Sequence, residues 1–449
     1  MGSPSEASST TATKLTRIAW LSSRDPHKQF DCLMHHFTVG ALEECFHQLA
    51  GRKAVGVDGV SKADYAQGLD LNLQDLVARL RRMAYRPEPV RRVRIPKEGQ
   101  PQATRPLGIS TLEDKIVQRM VHRVLESVYE PLFLDCSYGF RPGRGCHDAI
   151  RALHQHLFRY EVETVIDVDL AGYFDSISHP LLEAVLRQKI RDARLLRYLH
   201  RMFKAGVLEA GELTVSEEGV PQGSICSPIL ANVFAHEVID TWITSMVQPH
   251  CAGRVALFRY GDDLVICCQY DRDAQRIRRA LPKRLARYQL RLNEEKTRMV
   301  SFSKRAQQRH RTSASFDFLG FTFYWGRSRM GSVIPKVKTQ GRRLRAKLVR
   351  VATWARQVRN RDRLPVIWKV FCTKLRGHLQ YYGVSFNSAA VQKFVWMAVR
   401  ILFKWLNRRS QRKSFTWQQF NRFIRLHPLP RVRVYHPLFG AISQGKGLS

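Results

Sequence analysis

From Lys14 to Tyr160 the apolar residues recur mainly every three or four positions, the period of helices with one buried face. Three to four helices are expected between Lys14 and Leu49. Leu73, Leu76, Val77 and Leu80 mark one across Leu71 to Met83, and Ile116, Met120, Val124 and Val128 mark another from Thr111 to Tyr129. His147 to Tyr160 reads as a further helix. One interval departs from this period. Val90 to Pro96 alternates apolar and basic residues, as an edge strand with a basic outer face does, and a turn at Lys97 to Pro101 leads to a second strand ending at Ile109. Glu163 to Leu170 is β-branched and apolar around Asp167 and Asp169, a buried strand that carries acids. Helices then follow from Pro180 to about Lys189 and through Ile229 to about Met246. Val255 to Phe258 and Leu264 to Cys268 are apolar runs on either side of Arg259-Tyr260-Gly261-Asp262-Asp263, the pattern of a hairpin. After a helix at Ala274 to Tyr288, Asp317 to Tyr324 reads as one short aromatic strand. The remainder is helical: Gln340 to about Val358, Pro365 to about His378, Ser388 to Leu406, and a helix opened by the Thr416-x-x-Gln419 capping box.

Composition sharpens this picture. The 449 residues suffice for two or three domains, and 44% hydrophobic content supports a large core. The net charge of +36 points to a polyphosphate partner, with an anionic membrane surface as runner-up. The charge is uneven: beyond Glu295 the only acids are Asp317 and Asp362, while Arg and Lys continue to the end. An acid-bearing catalytic body followed by a body that grips nucleic acid is the expectation. The nine cysteines contain no Cys-x-x-Cys pair, so a zinc finger, a zinc ribbon and a Cys-ligated nuclease appendage lack their ligands. No apolar run of about 18 residues occurs, which argues against a membrane-spanning helix. The odd cysteine count fits a reducing, cytoplasmic setting. Residues 1–13 are rich in Ser, Thr and Ala and are expected to be disordered.

Adjacent carboxylates at a hairpin tip repel one another unless a cation neutralises them, and hard divalent cations prefer carboxylate oxygen. Gly-Asp-Asp is also ordinary turn chemistry, so the order of the surrounding segments decides. A buried strand ends in Asp169, an aromatic follows five residues later at Phe174, and then come a Pro-Gln-Gly turn with its helix and the Asp-Asp hairpin. Nucleotidyl transfer uses two divalent ions roughly 3.5–4 Å apart, and carboxylates from two adjacent strands can hold such a pair.

On these segments the chain resembles the group II intron reverse transcriptase/maturase family, in its endonuclease-lacking, group IIC-like form. The resemblance runs from about Arg17 to Phe439. It rests on Gly56-Val57-Asp58-Gly59, Arg105-Pro106-Leu107-Gly108-Ile109, Tyr138-Gly139-Phe140-Arg141-Pro142-Gly143-Arg144, Pro221-Gln222-Gly223-Ser224, Tyr260-Gly261-Asp262-Asp263 and Phe318-Leu319-Gly320-Phe321. It implies an α+β right-hand polymerase: fingers and palm over 14–325, a helical thumb over 326–407, a short basic DNA-binding-like segment over 408–449, and no endonuclease domain.

The roles it implies are specific. Asp169, Asp262 and Asp263, with the Leu170 carbonyl, would hold two Mg²⁺ ions, Mn²⁺ being a possible substitute. Phe174 falls where the family places the aromatic that blocks a ribose 2′-hydroxyl, the alternative being core packing. Arg105, assisted by Lys97, would clamp the incoming triphosphate, as a planar guanidinium suits phosphate. Gln222 would line the nucleotide pocket. Lys296 either protonates the leaving pyrophosphate or is a solvated helix-end lysine. Arg141 and Arg144 would meet template phosphate, Tyr260 and Gly261 the primer end, while Asp167 and Asp175 read as structural. Relatives usually carry Ala at position 261, so Gly261 is a departure. In the thumb, Trp354, Arg356, Arg359, Trp368, Lys374, Arg376, Tyr381 and Tyr382 interleave bases with aromatics, a composition suited to phosphate contact and stacking. Trp396, Phe403, Trp405 and Phe420 read as core.

The implied activity is RNA-directed DNA synthesis on an RNA template from a DNA or RNA primer, joined to binding of a structured intron RNA, splicing assistance and insertion into a DNA target. Two other readings stand beside it: a stand-alone polymerase recruited to phage defence or DNA repair, and a non-catalytic RNA-binding maturase. The last predicts eroded acids, and all three are present.

Overall fold

The computed structural model describes residues 4–51, 53–97, 100–209, 212–215, 218–219, 223–309, 314–409 and 414–439. Helix α1 (Pro4–Arg24) opens the chain. The expected disorder over 1–13 is therefore replaced by helix from Pro4 onward. Leu15 and Ile18 bury one face of α1 in the main core, and the Ala-, Ser- and Thr-bearing turns continue from that anchor. Between Lys14 and Leu49 there are two α-helices, α1 and α2 (Val39–Gln48), joined through a 3₁₀ turn. The short α3 (Lys62–Ala66) and α4 (Leu69–Arg81) precede the first hairpin, whose strands are β1 (Val90–Lys97) and β2 (Gln100–Ile109). Helices α5 (Leu112–Tyr129) and α6 (Cys146–Arg159) bracket the aromatic, basic loop that contains Phe140.

The strand expected at 163–170 is β3 (Thr164–Val168). Helices α7 (His179–Arg187) and α8 (Ala193–Lys204) follow, then two three-residue strands, β4 (Val207–Glu209) and β5 (Glu212–Thr214). These join the first hairpin in the order β2-β1-β4-β5, with β1 parallel to β4. So β1 is an interior strand, not the edge that its basic alternation suggested. Arg92 and Arg94 meet Glu209 on the neighbouring strand, which turns the basic face into an ion-paired one.

Helix α9 (Ser227–Ala235) continues into wider, π-type turns as far as Val247. The hairpin β6 (Val255–Tyr260) and β7 (Asp263–Cys268) then joins β3 and β8 (Arg298–Ser301) in an antiparallel sheet ordered β6-β7-β3-β8, backed by α10 (Asp271–Ala286). Both faces of this sheet are covered. Ile166, Val168, Leu264 and Ile266 enter the large core beneath α5 and α9, while Val165, Val265 and Cys267 enter a second core shared with α6. Two-sided burial is why these strands read as continuous apolar runs.

After the short α11 (Lys304–Gln308), a third sheet, β11-β10-β9, is built from β9 (Phe316–Phe318), β10 (Phe321–Arg327) and β11 (Val333–Thr339). The segment expected as one strand is thus a tight turn between two, with Leu319 and Gly320 at its tip. Phe316, Phe321, Phe323 and Val337 bury this sheet in the second core, against Ile150 and Leu153 of α6. The run of helices that follows begins at Gly341. It comprises α12 (Gly341–Val358), α13 (Leu364–Tyr382), α14 (Ser388–Leu406) and α15 (Trp417–Leu426), around a third core of Leu348, Phe371, Leu402 and Phe420. Thr416 and Gln419 close the expected capping box. Phe420 is fully buried, so α15 packs as part of the helical body. Among the described residues, no helix is long and apolar enough to cross a membrane.

Candidate active site

The register of β3 against β7 builds the site. Val168 pairs with Leu264, the last pair of that ladder, so Asp169 and Asp263 are the next residues on the two segments. Residues two apart share a sheet face. Asp167, Asp169 and Asp263 therefore lie on the face of Val165 and Val265, and all three line one cleft of about 530 Å³ against the start of α12. Tyr260 pairs with Asp263, which leaves Gly261 and Asp262 as a two-residue turn. Gly261 has φ +66°, the sign that primed hairpin turns require at the first central position.

A buried polar network fixes that turn from beneath. The Arg259 guanidinium, fully buried, donates to Asp240 Oδ1 at 2.7 Å and Oδ2 at 2.6 Å, to Asn232 Oδ1 at 3.0 Å, to Ser137 Oγ at 2.8 Å and to the Gly261 carbonyl at 3.2 Å. Every hydrogen-bonding edge of the guanidinium is used, and Asp240 balances its charge, which makes the burial tolerable. The loop after α5 is tied to the same place: Tyr138 N donates to the Arg259 carbonyl at 2.9 Å, and Asn232 Nδ2 to the Gly139 carbonyl at 2.6 Å. A Cβ on Gly139 would lie 2.4 Å from the Gly261 nitrogen, so only glycine permits this approach.

The electrostatics are those of crowded acids. Desolvation, then the Asp262 carboxylate, then Asp169, push Asp263 up to about 6, while the Arg343 guanidinium pulls the other way. Asp263 itself is exposed where it lines the cleft. Burial together with Asp263 and Asp317 likewise pushes Asp167 up to about 7, against the pull of Arg298. An all-oxygen donor set under mutual repulsion suits a hard divalent cation. Asp167, Asp169 and Asp263 share the cleft; among the described residues, no three His, Cys, Asp or Glu side chains converge tightly enough to form a ready cage. The Asp169 carbonyl accepts from Asn293 N at 2.8 Å, and Leu170 bridges to Leu292, so the strand end is held from the β8 side. Lys296 Nζ stands 3.6 Å from Asp169 Oδ2 and is 66% exposed.

Other expected residues fall into three groups. Phe174, in a 3₁₀ turn after β3, is half-buried and packs at right angles to Phe140 with ring centroids 6.4 Å apart. Lys97 and Arg105 lie on β1 and β2, but their side chains are outside the described set, and Gln222 is outside the described residues altogether.

Arg141 is a correction. Its buried guanidinium meets Glu130 at 2.8 Å and donates to the carbonyls of Leu134 at 2.8 Å and Ser137 at 2.9 Å, so it locks its own loop instead of facing a template phosphate. Arg144 pairs with the exposed Asp135 and stays at the surface.

In the helical body, Arg356 and Arg359 lie over the Trp405 ring at 6.0 and 5.0 Å, and Lys374 lies over Trp354 at 5.3 Å. Trp368 and Tyr382 are buried and cannot stack on bases, whereas Trp396, expected in the core, is 58% exposed. Residues missed in the sequence are Arg259 and Arg343. Arg259 sits inside the hairpin run itself, where its alternation with Phe258 and Tyr260 was the available signal. Arg343 carried none, because it reaches the cleft from α12, remote in sequence from the hairpin.

Over residues 95–323, just over half its length, the chain matches the family model of reverse transcriptase (RNA-dependent DNA polymerase). It is 34% identical over 328 residues to protein YkfC of Escherichia coli, covering 65% of this chain and 82% of that protein. It is 37% identical over 196 residues to the group II intron-encoded protein LtrA of Lactococcus lactis, covering 43% of this chain and 32% of LtrA. Nuclear intron maturase 4 of Arabidopsis thaliana is 30% identical over 122 residues, covering 27% of this chain and 15% of that protein. The chain thus spans about a third of LtrA and less of the plant maturase.

Proposed function

The chain belongs to the reverse transcriptase family, among the group II intron reverse transcriptase/maturases, and from that premise we propose that it is an RNA-directed DNA polymerase that extends a primer on an RNA template with deoxynucleoside triphosphates. The observation that carries this reading is the single cleft lined by both Asp169 and Asp263, at a hairpin whose turn bears Asp262. In this reading Asp169, Asp262, Asp263 and the Leu170 carbonyl hold two magnesium ions, with manganese as a substitute. Such ions, when bound, activate the primer 3′ oxygen and offset charge on the leaving pyrophosphate. The side chains do the rest. Phe174 bars a 2′-hydroxyl; Lys97 and Arg105 hold the triphosphate; Gln222 lines the nucleotide pocket. Lys296, whose place beside Asp169 supports the role, gives a proton to the leaving pyrophosphate. Tyr260 and Gly261 border the primer end.

The partner proposed for the helical body is structured intron RNA, with a DNA target met by the basic residues after 408. Support comes from the relatives' names and from the acid-poor C-terminal third. Splicing assistance and insertion into DNA would follow from that binding.

Extension of a DNA primer on RNA with dNTPs tests the polymerase reading. Synthesis is expected with Mg²⁺, abolished by chelation and restored by added Mg²⁺ or Mn²⁺. Synthesis that persists in chelator would overturn the metal assignment. Sequencing the RNA that copurifies with the protein tests the intron reading, for which a single structured intron is the expected result.

A further inference from the structure

Phe140 lies against the hairpin turn in a setting that packing alone does not explain. Its backbone has φ +58°, a conformation side-chain-bearing residues seldom adopt, and its ring is 46% exposed. Both flanks are fixed. On one side Gly139 lies against the hairpin turn and its carbonyl is held by Asn232; on the other Arg141 is locked on Glu130. The loop therefore presents the ring to the turn with little freedom. Three groups surround it. Phe174 packs edge-to-face at 6.4 Å, Tyr260 lies tilted at 6.2 Å, and ring carbon Cε2 is 3.0 Å from where a Cβ on Gly261 would stand. The ring thus fills the space that a methyl group at 261 would take.

We propose that Phe140 is a positioning residue for sugar selection: it backs Phe174 so that the Phe174 ring cannot yield to a 2′-hydroxyl, and Gly261 is the space that admits this second ring. The inference rests on the polymerase reading and goes beyond it by assigning discrimination to a pair of rings and by giving position 261 a reason. An unsupported ring could rotate or slide to admit one extra oxygen, whereas a ring braced at right angles by a second, backbone-locked ring cannot move without breaking that contact.

Single-nucleotide insertion on an RNA template, with kcat/KM measured for matched deoxy- and ribonucleotides, tests it. Phe140→Ala is expected to raise the ribo-to-deoxy ratio roughly five- to tenfold, the scale of one edge-to-face aromatic contact. Phe140→Leu, which keeps apolar bulk, should recover most of the discrimination. Gly261→Ala, which drives a methyl into the ring, should shift the ratio in the same direction as Phe140→Ala. Phe140→Ala combined with Phe174→Ala should be no less selective than Phe174→Ala alone, because the brace has nothing left to hold. An unmoved ratio in Phe140→Ala, a proportional loss for both sugars, or effects of the two substitutions that simply multiply would each overturn the role of Phe140. Failure of the unaltered chain to insert either nucleotide would overturn the polymerase reading beneath it.

Discussion

Two arginines show how far a side chain's type is from its use. Arg259 and Arg141 are both buried in a protein of net charge +36, and neither is available to a phosphate. Each is spent on geometry: Arg259 holds the carbonyl of the turn that carries Asp262, and Arg141 holds the loop that carries Phe140. Arg141→Ala should therefore cost about 3 kcal/mol in denaturant unfolding, the scale of a broken buried ion pair. RNA binding by the variant should keep the salt dependence of the parent. A salt slope reduced by about one would restore Arg141 to the template interface. The acids were legible in the sequence because a carboxylate inside an apolar run needs an explanation wherever it falls. The arginine roles were not, since a basic residue in a basic loop has a solvated face as its ordinary reading, and only the partners Glu130 and Asp240 reveal otherwise.

At the scale of elements, the palm hairpin and β3 were readable because two-sided burial writes an apolar run into the sequence. The parallel pairing of β1 with β4 was not, since a three-residue strand has no periodicity to detect. The turn at Leu319 and Gly320 was likewise hidden, because Phe318 and Phe321 on either side continue one aromatic run. The strands β10 and β11 were hidden for the same reason: they alternate like surface strands, yet bury Phe321, Phe323 and Val337 in the core shared with α6. The contact of the Gly139 loop with the β6–β7 turn makes its own prediction. Gly139→Ala places a methyl 2.4 Å from the Gly261 nitrogen, so loop and turn must part. A displacement near 1 Å at a reacting centre costs on the order of a hundredfold in rate, and primer extension should fall by about that much. Extension at the parental rate would mean that the loop does not set the position of the acids.

On the scale of the whole molecule, histidines buried or half-buried in the cores add a pH response. Burial lowers His122, His154 and His156 to about 4 and His378 to about 3, with Arg119, Arg254 and Lys347 adding to the effect at His122, His156 and His378. At His378 neither ring nitrogen has a hydrogen-bond partner among the described residues; the ring stacks on Phe394. A histidine held below its unfolded value of about 6.5 gives no penalty at pH 7, where both states are neutral. Below pH 6.5 the unfolded chain takes up the proton and the native one does not, so each such histidine costs up to about 2 kcal/mol by pH 5. Thermal stability should therefore drop steeply between pH 7 and pH 5, and His378→Phe should flatten part of that slope. A melting temperature constant across this interval would show that these rings are wetter than their packing implies. Binding to RNA should weaken steeply with salt, as expected when many phosphates are neutralised by the acid-poor C-terminal third.

The shared cleft of Asp169 and Asp263, next to the turn that bears Asp262, bears on every part of this reading. Single-turnover extension of a DNA primer on RNA, compared between the parent and Asp262→Ala combined with Asp263→Ala, examines it most directly. The account predicts robust synthesis by the parent and loss of measurable synthesis in the double variant, with RNA binding and cooperative unfolding retained. Synthesis by the variant at a rate near the parent's would contradict it.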